Sequence, residues 1–138
     1  PAGRKVSVER EIFTQLAGAG LHGFPFSGHW IDAGTPDSYL AANAMLLEHE
    51  ATAAHPGASV RGNALIAADA EITSSIVGPD TVIGAGVSLD KCVVRRSVLF
   101  AGASATGAVI EDCILGPGVA VEGDRSRMVL AAEGDLQF

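Results

Sequence analysis

The sequence predicts a mainly β protein whose larger part is a parallel β-helix of about four coils, preceded by a small α/β segment. Three observations predict it. Apolar residues recur at steps of five and six from Val60 to Val121. Turn residues follow them at regular places, as in Val77-Gly78-Pro79-Asp80, Ile83-Gly84-Ala85-Gly86 and Leu115-Gly116-Pro117-Gly118. The first fifty residues carry helix signals instead, and the small-residue stretch from Ala51 to Gly57 separates the two patterns.

In residues 1–50, Ser7 is a good N-cap for the run Val8 to Ala17, and Glu9 and Glu11 suit the positive end of a helix dipole. Val8, Ile12, Phe13 and Leu16 fall on one face at helical spacing, and Gly18 and Gly20 end the run. Leu21 to Phe26 reads as a short strand and His29 to Asp32 as a second, joined at Ser27-Gly28 as a hairpin. Thr35-Pro36 is a helix start with Thr as N-cap and Pro in the first turn. Tyr39, Leu40, Asn43, Leu46 and Leu47 carry that helix to about Glu50. Residues 51–57, ending in Pro56-Gly57, read as a linker.

From residue 58 the spacing groups into triplets. Val60, Ile66 and Ile72 are followed by Val77, Ile83 and Leu89, then Val94, Leu99 and Ala105, then Ile110, Leu115 and Val121. Each triplet is one coil of three short strands, with one apolar side chain per strand pointing inward and stacking on its equivalent one coil along. Small residues belong at the corners, and Cys92 and Cys113, each two before a core position, read as small buried thiols. Residues 125–138 are expected to cap the last coil, with Met128, Val129 and Leu130 as the apolar contact. The domain expectation is therefore 1–50, linker 51–57 and β-helix with cap 58–138.

Composition excludes several classes. Nine Lys and Arg against sixteen Asp and Glu leave a net charge of −7, which argues against general nucleic-acid binding. A 48% apolar fraction excludes a disordered tail. The apolar runs are much shorter than the ~20 residues of a membrane span. Two cysteines without a CxxC make reduced thiols in a cytoplasmic protein the default.

The segment Trp30-Ile31-Asp32-Ala33-Gly34-Thr35-Pro36, followed by Asp37-Ser38-Tyr39-Leu40-Ala41-Ala42-Asn43, resembles the end of the catalytic domain of sugar-1-phosphate nucleotidyltransferases. Ser7-Val8-Glu9-Arg10-Glu11-Ile12-Phe13 is similar to a second segment of that family, and together the two look most like its mannose-1-phosphate guanylyltransferase branch. The resemblance implies a left-handed β-helix of hexapeptide repeats after the catalytic domain. It implies transfer of a nucleotidyl group from a nucleoside triphosphate to a sugar 1-phosphate, with Mg²⁺ as cofactor and release of pyrophosphate. It makes Asp32 a catalytic Mg²⁺ ligand and Glu9 and Gly34 substrate-binding residues. The family's Gly-rich, basic nucleotide loop is absent from these residues, and Pro1 with the adjoining Arg4-Lys5 reads as an entry in mid-protein. The expectation is a C-terminal portion, inactive alone.

Each assignment has a plainer rival. Asp32 also suits a turn beside Gly34, Glu9 suits dipole compensation, Glu11 is structural and Trp30 packs in a core. The alternative to an enzyme part is a β-helix that oligomerises or regulates, and a homo-oligomer is expected. Arg95-Arg96 either hold an anionic regulator or contact another subunit, or form a solvated corner. Hexapeptide acyl transfer is disfavoured, because such enzymes use a His on the β-helix and none follows His55.

Overall fold

In the computed structural model of the chain, residues 3–50, 54–126 and 129–130 are described. The chain divides into two compact units, Pro1–Trp30 and Ile31–Phe138.

In the first unit a π-type turn, Val8–Phe13, runs into a short α-helix, α1 (Thr14–Leu16). Ser7 Oγ accepts from Arg10 N at 3.3 Å. Glu11 reaches back to accept from Ser7 N at 3.1 Å and pairs with Arg4, which is the structural role expected of it. The hairpin does not form, and residues 21–35 hold no strand. Gly23 and Pro25 interrupt the first run, Pro25 removes a ladder donor, the second run is only four residues, and an isolated two-stranded ribbon is marginal in water. The expected core position of Trp30 is also corrected, since its side chain is 74% exposed and Phe24 is 90% exposed. Thirty residues carry too little apolar surface to enclose an indole ring.

In the second unit α2 (Pro36–Leu47) precedes the solenoid and ends three residues short of the expected Glu50. The first coil is β1 (Ala58–Val60), β2 (Ala64–Ile66) and β3 (Glu71–Thr73). The second is β4 (Ser75–Val77), β5 (Thr81–Ile83) and β6 (Ser88–Asp90). The third is β7 (Val93–Arg95), β8 (Val98–Leu99) and the start of β9 (Ser104–Glu111), which bends at Gly107 and opens the fourth. β10 (Ile114–Leu115) and β11 (Ala120–Ser126) complete that coil, and β12 (Val129–Leu130) pairs with β10. All recorded strand pairings are parallel, so the mainly β, four-coil solenoid expected from the spacing is present. Arg127, Met128 and residues 131–138, where most of the cap was expected, lie outside the described residues, as do residues 51–53 of the linker.

The three predicted columns are the core. Val60, Val77, Val94 and Ile110 pair in register along one face. Ile66, Ile83, Leu99 and Leu115 do so on the second, and Ile72, Leu89, Ala105 and Val121 on the third. Ten of these twelve are buried, and Val60 and Ile66 of the first coil pack against them half-covered. Corner chemistry explains the residues two places earlier. Ser75 Oγ donates to Thr73 O at 2.8 Å and accepts from Cys92 N at 2.9 Å. Ser97 Oγ repeats this with Arg95 O at 2.8 Å and Cys113 N at 3.0 Å. The Cys92 and Cys113 thiols donate to Asp90 O at 3.3 Å and Glu111 O at 3.2 Å. Each serine hydroxyl accepts the Cys92 or Cys113 N–H at the bend and adds a second donor to a carbonyl already bonded one coil up. These are the buried structural thiols the spacing predicted.

In the second to fourth coils the corners also use a left-handed residue. Gly86, Gly102 and Gly118 supply it at one corner with φ of 62°, 70° and 69°. At another, Asp80, Arg96 and Asp112 adopt it with φ of 52°, 46° and 52°. Ion pairs run along that second corner. Arg95 Nη2 donates to Glu111 Oε2 at 2.7 Å, and Arg96 donates to Asp112 through Nε at 2.8 Å and Nη2 at 3.1 Å and also contacts Glu111. Arg95 and then Arg96 hold the Glu111 carboxyl below its ordinary value, and Asp112 with Glu111 holds the Arg96 guanidinium above its own.

Two outcomes follow from the stacking and the ladder. Leu99→Ala is expected to cost about 2–5 kcal/mol in urea unfolding, against under about 0.5 kcal/mol for the half-exposed Leu65→Ala. A group whose folded value is depressed contributes above its unfolded value and loses that contribution as pH falls through the folded one. Glu111→Gln should therefore unfold at a lower temperature at pH 7. Its gap from the natural sequence should close as pH drops below the ordinary Glu value of about 4.3; a gap independent of pH would count against the ladder.

Candidate functional site

The segment Ile31–Thr35 and the helix it starts carry the predicted chemistry. Thr35 Oγ1 accepts from Ser38 N at 3.2 Å, and Ser38 Oγ accepts from Thr35 N at 3.0 Å, so each end of the first turn satisfies the other. Pro36 fills the first helical position, whose N–H needs no partner. Just upstream, Asp32 Oδ1 accepts from Gly34 N at 3.1 Å, which is the turn geometry of its plainer reading. The two readings are compatible, because the other carboxylate oxygen has no partner among the described residues and Asp32 is exposed. A Cβ on residue 34 would stand 3.2 Å from that same Oδ1, so Gly34 lets the carboxylate sit close to its own backbone. Glu9 belongs to the other unit, where it is exposed on the π-type turn and has no partner among the described residues.

α2 lies against β5 of the solenoid. Tyr39 stacks on Phe100, just after β8, with centroids 6.4 Å apart and planes 23° from parallel. Leu47 at the helix end is buried, whereas Leu46, placed by its spacing on the apolar face, is 64% exposed. Between α2 and the second corner opens a cavity of about 250 Å³, lined by Asp37, Leu40, Ala41 and Ala44 from the helix and by Asp80, Arg96 and Asp112 from three successive coils. Asp80 Oδ1 accepts from Asn63 Nδ2 at 2.8 Å one coil down.

This arrangement gives Arg95 and Arg96 carboxylate partners within the chain. Both guanidinium groups are engaged by Glu111 and Asp112, and an incoming anion would have to displace those carboxylates. Sequence reasoning passed over the corner itself, although Asp80, Arg96 and Asp112 stand sixteen residues apart and that period was readable. The Tyr39–Phe100 contact left no such signal.

Among the described residues no group of three His, Cys, Asp or Glu is placed to hold a metal ion, and no helix is long and apolar enough to cross a membrane. Asp32 therefore offers a hard cation one carboxylate, as a Mg²⁺ site that draws its other ligands from phosphates and water would use.

No protein-family model matches the chain. It is 33% identical over 112 residues to a mannose-1-phosphate guanylyltransferase of Mycobacterium tuberculosis, covering 71% of this chain and 30% of that protein. It is 28% identical over 111 residues to glucose-1-phosphate adenylyltransferases from two strains of Clostridium perfringens, covering 77% of this chain and 28% of each. The chain thus spans under a third of the length of these curated relatives. With the motif around Asp32 and the solenoid in place, the chain is similar to sugar-1-phosphate nucleotidyltransferases and carries a β-solenoid from Ala58 onward.

Proposed function

We propose that this chain is a C-terminal portion, the end of the catalytic domain with its β-helix, of an enzyme that transfers a nucleotidyl group from a nucleoside triphosphate to a sugar 1-phosphate and releases pyrophosphate, with GTP and mannose 1-phosphate as its pair. The observation that carries the reading is the 33% identity to the mycobacterial guanylyltransferase. The guanine and mannose preference rests on that relative, since the clostridial ones are named as adenylyltransferases for glucose 1-phosphate.

Both reactants are anionic, so a hard cation that screens phosphate charge and lines up the displacement is what Mg²⁺ supplies when bound. Asp32 is its protein ligand in this chain. The Gly34 amide fixes one oxygen of that carboxylate and leaves the other for the ion. Gly34 keeps the segment compact enough for substrate to approach backbone, and the Glu9 carboxylate accepts from sugar hydroxyls. The β-helix adds assembly. On its first face Ile76, Val93 and Val109 point outward in one column and are only half-covered, which suits contact with another copy of the chain.

In the natural polypeptide that carries this chain, Asp32→Ala is expected to cut Mg²⁺-dependent pyrophosphate release from GTP and mannose 1-phosphate about a hundredfold or more, a few kcal/mol of transition-state stabilisation. Near-normal turnover would remove Asp32 from the metal site, and faster release with ATP and glucose 1-phosphate would reassign the substrate pair. These 138 residues alone are expected to show no turnover. Val93→Asp should lower the mass seen in sedimentation, and an unchanged oligomer would take the first face out of assembly.

A further inference from the structure

We propose that Phe100 is a positioning residue for Asp32, so that the solenoid is the mount on which the metal-binding carboxylate is held. This rests on the reading of Asp32 as a metal ligand and extends it to the β-helix. Asp32, Gly34 and Thr35 run without a break into α2; one hydrogen bond closes the Asp32 turn on itself and two join Thr35 to the first helical turn. Gly34 N donates to Asp32 Oδ1 at 3.1 Å, Ser38 N to Thr35 Oγ1 at 3.2 Å, and Tyr39 N to Thr35 O at 2.8 Å. The Asp32 turn is therefore tied to the first helical turn through Thr35, the residue next to Gly34.

The first helical turn is seated at Tyr39. The residue whose N–H closes the first turn is the one whose ring stacks on Phe100 at 6.4 Å. Asn43 Nδ2 donates to the Tyr39 carbonyl at 2.8 Å and ties the next turn to the same point. On the solenoid side the seat is rigid, because Phe100 follows Leu99, which is wholly buried in the second column, and Phe100 N donates to Leu115 O one coil up at 2.9 Å. The cavity that runs beside Asp37, Leu40, Ala41 and Ala44 separates that side of the helix from the corner, so the aromatic pair is the contact that seats this stretch. The aromatic pair therefore seats the N-terminal half of α2, the end that the Asp32 turn leads into. A ligand held by few protein groups depends on its supporting shell for orientation.

The test uses the natural polypeptide with Mn²⁺ as probe, its free concentration followed by electron paramagnetic resonance, and amide hydrogen exchange without metal. Phe100→Ala should weaken Mn²⁺ binding about tenfold. It should also speed exchange at Tyr39 N while Gly84 N and Phe100 N in the solenoid ladder keep their protection. Phe100→Tyr, which keeps the ring, should restore both. Faster Tyr39 exchange with unchanged Mn²⁺ binding, or unchanged exchange at Tyr39, overturns the positioning role. General loss of protection in Phe100→Ala moves the comparison to Tyr39→Leu, which leaves the solenoid untouched and must reproduce the weakened Mn²⁺ binding. Asp32→Asn separates the two readings. If it leaves Mn²⁺ binding unchanged the metal reading itself fails, whereas weakened binding in Asp32→Asn beside normal binding in Phe100→Ala sinks only the role of Phe100.

Discussion

Everything in the larger unit depends on one constraint, that each coil must present its backbone and its inward side chains in register with the coil beneath. A three-residue strand has no stability by itself. It is held because its N–H and C=O groups pair with the neighbouring coils and because Val77, for example, sits between Val60 and Val94 with no surface left to water. The corners follow from the same demand. A chain that bends every five or six residues turns polar backbone groups away from the ladder, and at one corner the hydroxyls of Ser75 and Ser97 take up the Cys92 and Cys113 N–H groups while the two thiols bond the Asp90 and Glu111 carbonyls. The charged ladder of Arg95, Arg96, Glu111 and Asp112 is the exposed counterpart of this stacking. Residues brought level by the repeat either match in charge or repel.

The stiffness so produced reaches the segment before it. An isolated twelve-residue helix in water is marginal. α2 has a reciprocal cap at its start, an aromatic contact with Phe100 near that cap and a buried Leu47 at its end. The turn around Asp32 inherits its geometry from this arrangement. A carboxylate on a free strand end would sample many directions, whereas this one is bound to its own turn and the turn to a seated helix.

What was legible in the sequence is what repeats or what is local. The twelve core positions were readable because the inward column forces an apolar residue at each coil, and the cap of α2 was readable because Thr35 and Pro36 act within one turn. Asp32 and Gly34 were found through a short contiguous motif. The failures share a cause as well. Leu21–Phe26 and His29–Asp32 have strand composition, but a strand needs a partner, and composition cannot say whether one is present. Trp30 was placed in a core on its chemistry alone, while burial depends on how much apolar surface surrounds it. Phe100 and Tyr39 are far apart in the chain, so no spacing rule joins them. Arg95-Arg96 drew notice as neighbours, although their partners are the residues sixteen places on.

The unequal coil lengths have a consequence for how such chains change over time. Val60 to Val77 and Val77 to Val94 each span seventeen residues, and Val94 to Ile110 spans sixteen, yet all four stand in one column. The second coil takes six residues from Val77 to Ile83 where the third takes five from Val94 to Leu99, so the corner absorbs the difference. A single-residue insertion or deletion at a bend is then nearly silent, while the same event within a strand would turn every later side chain to the wrong face. Divergence should therefore gather as small gaps at the corners. Lineages can drift far apart in alignment while each coil still lies level with the next.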